Sequence, residues 1–155
     1  MKNYKVDKLD VKIFENREIM GQNAAADIKA RFAALLSEKD EINVIFAAAP
    51  SQNDVLLSLV NDKSIEWNRI NAYHMDEYIG LSKDAPQGFG NFLREHIFGL
   101  VPFKSVNYIN CEAKDPEAEA ERYGKLLLDL RCEWQRRDEQ LRQEHRIGYF
   151  DGEQA

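Results

Sequence analysis

The sequence predicts an α/β protein built on a parallel sheet. Nearly continuous apolar runs, Ile42–Ala48 and Ile70–Met75, alternate with stretches of helical periodicity. Parallel strands covered on both faces have that composition, and alternation with helices is the pattern of crossover units. No internal repeat and no Pro/Gly/Ser-rich linker divides the 155 residues, a length that fits one domain with a real core.

Each element follows from its residues. Val11 and Ile13 alternate with polar neighbours, a strand signal. Asn16–Ser37 reads as a long helix, with Ile19, Ala26, Ile28, Phe32, Leu35 and Leu36 at roughly helical spacing and an alanine-rich body. Ile42–Ala48 is the first buried strand, broken by Ala49-Pro50-Ser51-Gln52. Ser51 and Asp54 stand at capping-box spacing before a short helix with an apolar face of Val55, Leu56, Leu59 and Val60. Ile70–Met75 is the second buried strand. Pro86 suits the first turn of a helix bearing Phe89, Phe92, Leu93, Ile97 and Phe98. Ser105–Ile109 alternates as a short strand. Asp115-Pro116-Glu117 supplies a cap, a first-turn proline and an acid at the positive end of a helix reaching about Leu128.

After Leu130 the pattern changes. In Arg131–Arg146 only Cys132, Trp134 and Leu141 are apolar, and arginines and acids fill much of the rest. Glu133 with Arg137, and Asp138 with Arg142, stand at i,i+4, which suits a solvated helix and not a buried strand. Ile147–Phe150 is too short to replace a strand. The expected division is therefore 1–130 as the α/β part and 131–155 as a charged tail.

Composition narrows the partners. A net charge of −6 disfavours duplex nucleic acid and anionic membrane surfaces, which need clustered positive charge. No apolar stretch is long enough to span a bilayer, and the first residues lack the apolar core of a signal peptide. A cytoplasmic location is the expectation. Cys111 and Cys132 make no metal-ligand spacing, and two reduced thiols are the default for such a chain.

The candidate site is the end of the second buried strand, where Ile70–Met75 runs into two adjacent carboxylates, Asp76 and Glu77. In open α/β sheets ligands bind at the carboxyl ends of the strands. Strand ends also carry acids merely to stop a strand or cap a helix, and the spacing allows both readings. Adjacent side chains of an extended segment point opposite ways, so the two acids do not act as one pair. His74 lies on the same side as Asp76. It is either a hydrogen-bond partner of the site or a satisfied core histidine. No further histidine stands at ligand spacing, so no metal is expected. The loop with Ser51 and Gln52 precedes a helix and can present N–H groups to a phosphate, or Ser51 can simply cap that helix. His96 reads as structural and His145 as solvated.

Tyr73-His74-Met75-Asp76-Glu77-Tyr78-Ile79-Gly80-Leu81 resembles the signature of the glucosamine-6-phosphate deaminase/isomerase family. Ile45–Asn53 sits where that family has its first strand-to-helix loop, and Pro86–Leu93 is similar to the helix that follows the signature. The resemblance runs from near the start to Leu130. It implies a Rossmann-like, doubly wound parallel sheet, here truncated, with a charged C-terminal tail. It also implies an aldose–ketose isomerisation coupled to loss of ammonia from a phosphorylated amino sugar, with no redox cofactor and no catalytic metal. The family's general base is the aspartate of Met-Asp-Glu-Tyr, so that role falls on Asp76, with Glu77 supporting. Ser51 and Gln52 take the place of the family's Gly-Ser-Thr-Pro-like phosphate loop, without its glycine and threonine.

The family continues with a buried strand, a Gly-x-Gly-x-x-Gly-His loop and basic phosphate ligands, none of which follows Leu130 here. A truncated or frame-shifted chain, inactive alone, is the leading expectation. The alternatives are an enzyme completed by another chain, a non-catalytic phosphosugar-binding module, and a lactonase-type hydrolase of the same fold. In the family the next strand lies beside the one resembling Ile42–Ala48. Without it that strand keeps an open edge, and self-association or a homo-oligomer is expected.

Overall fold

The computed structural model describes residues 2–137. The chain divides into two compact units, one through Pro116 and one from Glu117. Leu130 and Arg131, where the expected boundary lies, both fall within the helix of the second unit. Residues 138–155 of the expected tail, including His145 and the Asp138–Arg142 pair, lie outside the described residues.

The first unit opens with an antiparallel hairpin, β1 (Lys2–Val6) and β2 (Leu9–Ile13), which turns through Asp7 at φ 50°. Its pairing sets Tyr4 opposite Val11 and Val6 opposite Leu9 on one face. Only β2 was expected; the alternation of Tyr4 and Val6 carries the signal for β1. Helix α1 (Arg17–Leu36) starts where the sequence suggests, with Asn16 accepting from the Ile19 N–H at 2.9 Å. Its buried stripe is Gly21, Ala25, Phe32 and Leu36, while Ala26 is exposed.

Strands β3 (Ile42–Phe46), β4 (Ile70–His74) and β5 (Ser105–Asn107) form a parallel sheet in the order β3-β4-β5. Between them lie α2 (Asn53–Asn61) and α3 (Phe89–Leu93), the latter continuing through a π-helical turn, Arg94–Phe98. The register pairs Phe46 with His74 and Asn71 with Ser105. One sheet face carries Ile42, Phe46, Ile70 and Ala72 into the core, where Phe32, Trp67, Phe98 and Phe103 meet edge to face, with Trp67 and Phe103 centroids 4.9 Å apart. Ile70, Leu93 and Ile97 are fully buried, each worth about 1.5–3 kcal/mol. The opposite face carries a polar row. Asn71 Nδ2 donates to Asn43 Oδ1 at 3.0 Å, and Ser105 Oγ donates to Asn71 Oδ1 at 2.7 Å.

Pro86 does not open a helix. The chain turns through residues 82–88 and α3 begins at Phe89, because a side chain rather than a cap residue receives its first N–H groups. β5 stops at Asn107, short of the expected Ile109, whose N–H is taken by a histidine ring. Helix α4 (Pro116–Arg137) opens on the expected proline, the last residue of the first unit, and has Glu117 and Glu119 in its first turn. It continues past Leu128 through Arg131–Arg137, which are helical as the charge spacing suggests. Within α4, Arg122 pairs with Glu119 at 2.6 Å and Lys125 with Glu121 at 2.7 Å.

Candidate active site

β4 is the central strand, and all five of its residues are buried. Met75 still belongs to the ladder, its N–H donating to the Phe46 carbonyl at 3.0 Å. The next residue is Asp76, and it is exposed. The loop after β3, residues 47–52, leaves the sheet at the same carboxyl edge, one strand away. The sequence-predicted residues Asp76, Ser51 and Gln52 thus share one end of the sheet. Carbon-acid proton abstraction favours a desolvated carboxylate, and the described residues leave Asp76 open to water.

Glu77, the next residue, is partly buried. Its Oε1 accepts from the N–H groups of Tyr78 at 2.9 Å and Phe89 at 3.0 Å, and its Oε2 accepts from Gly90 at 2.8 Å. This carboxylate is the cap of α3. A Cβ at Gly90 would stand 3.2 Å from Glu77 Oε2 and 3.2 Å from the Tyr108 ring, a tight fit that both neighbours would have to relieve. The loop between is held by Asn91, whose Nδ2 donates to the carbonyls of Lys83 at 2.7 Å and Ala85 at 2.6 Å.

His74 is 1% exposed, and its Nε2 accepts from the Ile109 N–H at 2.7 Å. Because Nε2 accepts, the neutral ring carries its proton on Nδ1. Burial pushes its pKa below the ordinary value, while the Glu77 carboxylate, the Asp76 backbone and the Asp76 carboxylate act in the opposite sense. His74 is thus a buried residue whose ring joins the end of β4 to the segment that leaves β5.

The Ser51–Asp54 capping box does not form. Pro50–Gln52 is a 3-10 turn without a side-chain cap, and Ser51 is exposed within it. Asp54 is drawn instead to Arg17 of α1, whose Nε binds its carboxylate and whose Nη2 donates to the Pro50 carbonyl at 2.6 Å. Neither Arg17 nor Asn91 was legible: Arg17 acts across the fold on the Pro50 carbonyl, and Asn91 on two carbonyls of its own preceding loop.

A cleft of about 260 Å³ beside Glu77 is lined by Asn91, Arg94, Tyr108 and Cys111 among others. Burial and the carboxylates of Glu77 and Glu112 push the Cys111 thiol up, away from thiolate reactivity. His96 is structural: its Nδ1 meets the Phe92 carbonyl at 2.7 Å and its ring stacks on Phe92. Among the described residues no three His, Cys, Asp or Glu side chains stand together as a metal site, and no helix is long and apolar enough to cross a membrane.

No protein-family model matches the chain. Among curated proteins it is 33% identical over 75 residues to a glucosamine-6-phosphate deaminase of Exiguobacterium, covering 48% of this chain and 30% of that protein. It is 29% identical over 122 residues to one of Streptococcus suis, covering 77% of this chain and 49% of that protein. Among solved structures, a monomeric glucosamine-6-phosphate deaminase superposes with a TM-score of 0.65 at 23% identity, over 76% of this chain and 49% of that one. A 6-phosphogluconolactonase of Thermotoga maritima gives 0.66 at 24% identity, over 76% and 53%. These two show the fold. The chain spans half or less of the length of these curated relatives, and over that part it is similar to glucosamine-6-phosphate deaminases.

Proposed function

We propose that this chain carries the base-bearing part of a site that isomerises and deaminates a 2-amino-2-deoxyhexose 6-phosphate. The supporting observation is Asp76, a carboxylate placed where the central parallel strand ends, at the same sheet edge as the loop 47–52. Asp76 takes the proton from the carbon next to the substrate carbonyl. The N–H groups at the start of α2, the Ser51 hydroxyl and the Gln52 amide hold the phosphate. A phosphorylated sugar does not cross membranes unaided, so the cytoplasm is the working compartment.

Titration of the 155-residue chain with glucosamine 6-phosphate tests this, followed by NMR shifts at Asp76, Ser51 and Gln52 and by release of ammonia and fructose 6-phosphate. Shifts at those residues with turnover support an enzyme. Shifts without turnover support the second reading, a phosphosugar-binding module, which the solvent exposure of Asp76 favours. Hydrolysis of 6-phosphogluconolactone in place of deamination supports the lactonase-type alternative. No shift at any of the three residues overturns the assignment of the site.

Self-association is part of the proposal. Among the described residues β3 pairs on one side only, and Ile45 on it is 51% exposed. An open parallel edge with apolar flanks invites another strand.

A further inference from the structure

We propose that Glu77 and His74 are positioning residues for Asp76, holding the backbone on either side of it against two other elements. The inference rests on the reading of Asp76 as the base. Its geometric basis is independent of that reading.

Asp76 stands outside the sheet, where a chain ordinarily gains freedom. Here the freedom is removed from both sides. Two residues before it, the His74 ring accepts the Ile109 N–H and ties the end of β4 to the segment leaving β5. One residue before it, Met75 is bonded to Phe46 of β3. One residue after it, both oxygens of Glu77 are occupied by N–H groups, two of which belong to the first turn of α3. Asp76 is thus an exposed residue in a segment anchored to β3, β5 and α3. Glu77 cannot serve as a second acid in this arrangement, because three N–H donors already occupy its carboxylate. His74 cannot reach substrate either, because it is fully buried and its Nε2 is engaged. Their chemistry acts through Asp76. A base must be held within a fraction of an ångström of its target, and misplacement of about 1 Å costs on the order of a hundredfold in rate.

The loop side shows the same design. Gly80, at φ +80°, turns the chain back so that its N–H donates to the Cys111 carbonyl at 2.9 Å. Glu77 closes the path from Tyr78 to Phe89 at its two ends. Loss of the carboxylate therefore frees the loop from its start, beside Asp76.

Three variants of the 155-residue chain test the proposal: Glu77→Gln, His74→Phe and His74→Gln. Glu77→Gln keeps one oxygen acceptor and turns an amide N–H toward Gly90. His74→Phe keeps the ring and removes the acceptor. His74→Gln places an amide oxygen near the Nε2 position. NMR backbone order parameters are measured for residues 70–78, with thermal midpoints alongside. In the parent, residues 75–78 should be as rigid as the strand, near about 0.85. In Glu77→Gln and His74→Phe they should fall below about 0.6 while Ile70–Tyr73 keep their values. His74→Gln should restore rigidity. A purely structural role moves the strand and the thermal midpoint together and gives no rescue by glutamine. Residues 75–78 staying rigid in both disrupted variants, or loosening only together with the strand, overturns the proposal. If His74→Phe does not fold, Glu77→Gln decides. Turnover of glucosamine 6-phosphate is followed in parallel. A fall in kcat of about tenfold or more at unchanged KM extends the result to catalysis. Absence of turnover in the parent, with no shift of Asp76, Ser51 or Gln52 on addition of glucosamine 6-phosphate, counts against the proposed reaction, and the order parameters still decide the positioning.

Discussion

Gly21 of α1 lies against Asp54 of α2 so closely that a Cβ on Gly21 would stand 2.6 Å from the Asp54 Cβ. The approach lets Arg17, one turn earlier on α1, bind Asp54 and the Pro50 carbonyl. The packing of two helices thereby sets the loop proposed to hold phosphate. Gly21→Ala raises helix propensity by up to about 1 kcal/mol but forces the helices apart, at a typical cost of about 1–3 kcal/mol. A net loss of stability is expected in urea denaturation, with increased mobility at residues 50–52. A stabilised variant would show that α1 shifts freely.

Asp76→Asn separates chemistry from folding. The side chain is exposed, so the thermal midpoint should change little. Turnover of glucosamine 6-phosphate should fall by about two to four orders of magnitude, the usual worth of an acid/base group. Equal turnover in variant and parent would remove the base from Asp76.

His74 makes stability depend on pH. Its folded pKa lies below the ordinary 6.5, so the unfolded chain takes up a proton at a higher pH than the folded one. Stability is fully present above 6.5 and is lost as pH falls from there toward the lower folded pKa. Thermal midpoints measured from pH 7.5 downward should show this loss, and His74→Phe should remove that component. An identical pH profile in the variant would mean that the ring is not held neutral.

The open side of β3 gives a prediction about association. Sedimentation across a range of concentrations should show self-association, and an Ile45→Lys variant should shift it toward monomer by placing charge on the exposed strand. Hydrogen exchange on a dilute sample should find the Ile42–Phe46 amides less protected than those of β4. A cooperative monomer at every concentration, with Ile42–Phe46 as protected as β4, would show that this edge is closed.

Element types were legible where periodicity was strong. Asn16 capping α1, the apolar runs of β3 and β4, and the proline opening of α4 all follow from local chemistry. Asp76 was legible as an acid at a strand end. The failures share a cause. Pro86 suggested a helix start, but Glu77, twelve residues before Phe89, caps α3 from across a loop. Ser51 suggested a cap, but Arg17 captured Asp54. In both places a long-range charged side chain replaced the local one, and residue spacing carries no signal of that.

The polar row across the sheet has a consequence for how the chain finds its alignment. Parallel strands are joined by long crossovers, so no tight turn dictates how they line up. A one-residue slip of β4 would send Asn71 toward the aromatic layer and Ala72 out of it. A two-residue slip would keep the faces correct but set Tyr73 where Asn71 belongs, leaving Asn43 and Ser105 without their amide partner. Only one alignment satisfies all three side chains. The row therefore works as a registration mark, rejecting near-miss pairings that the apolar face alone would accept.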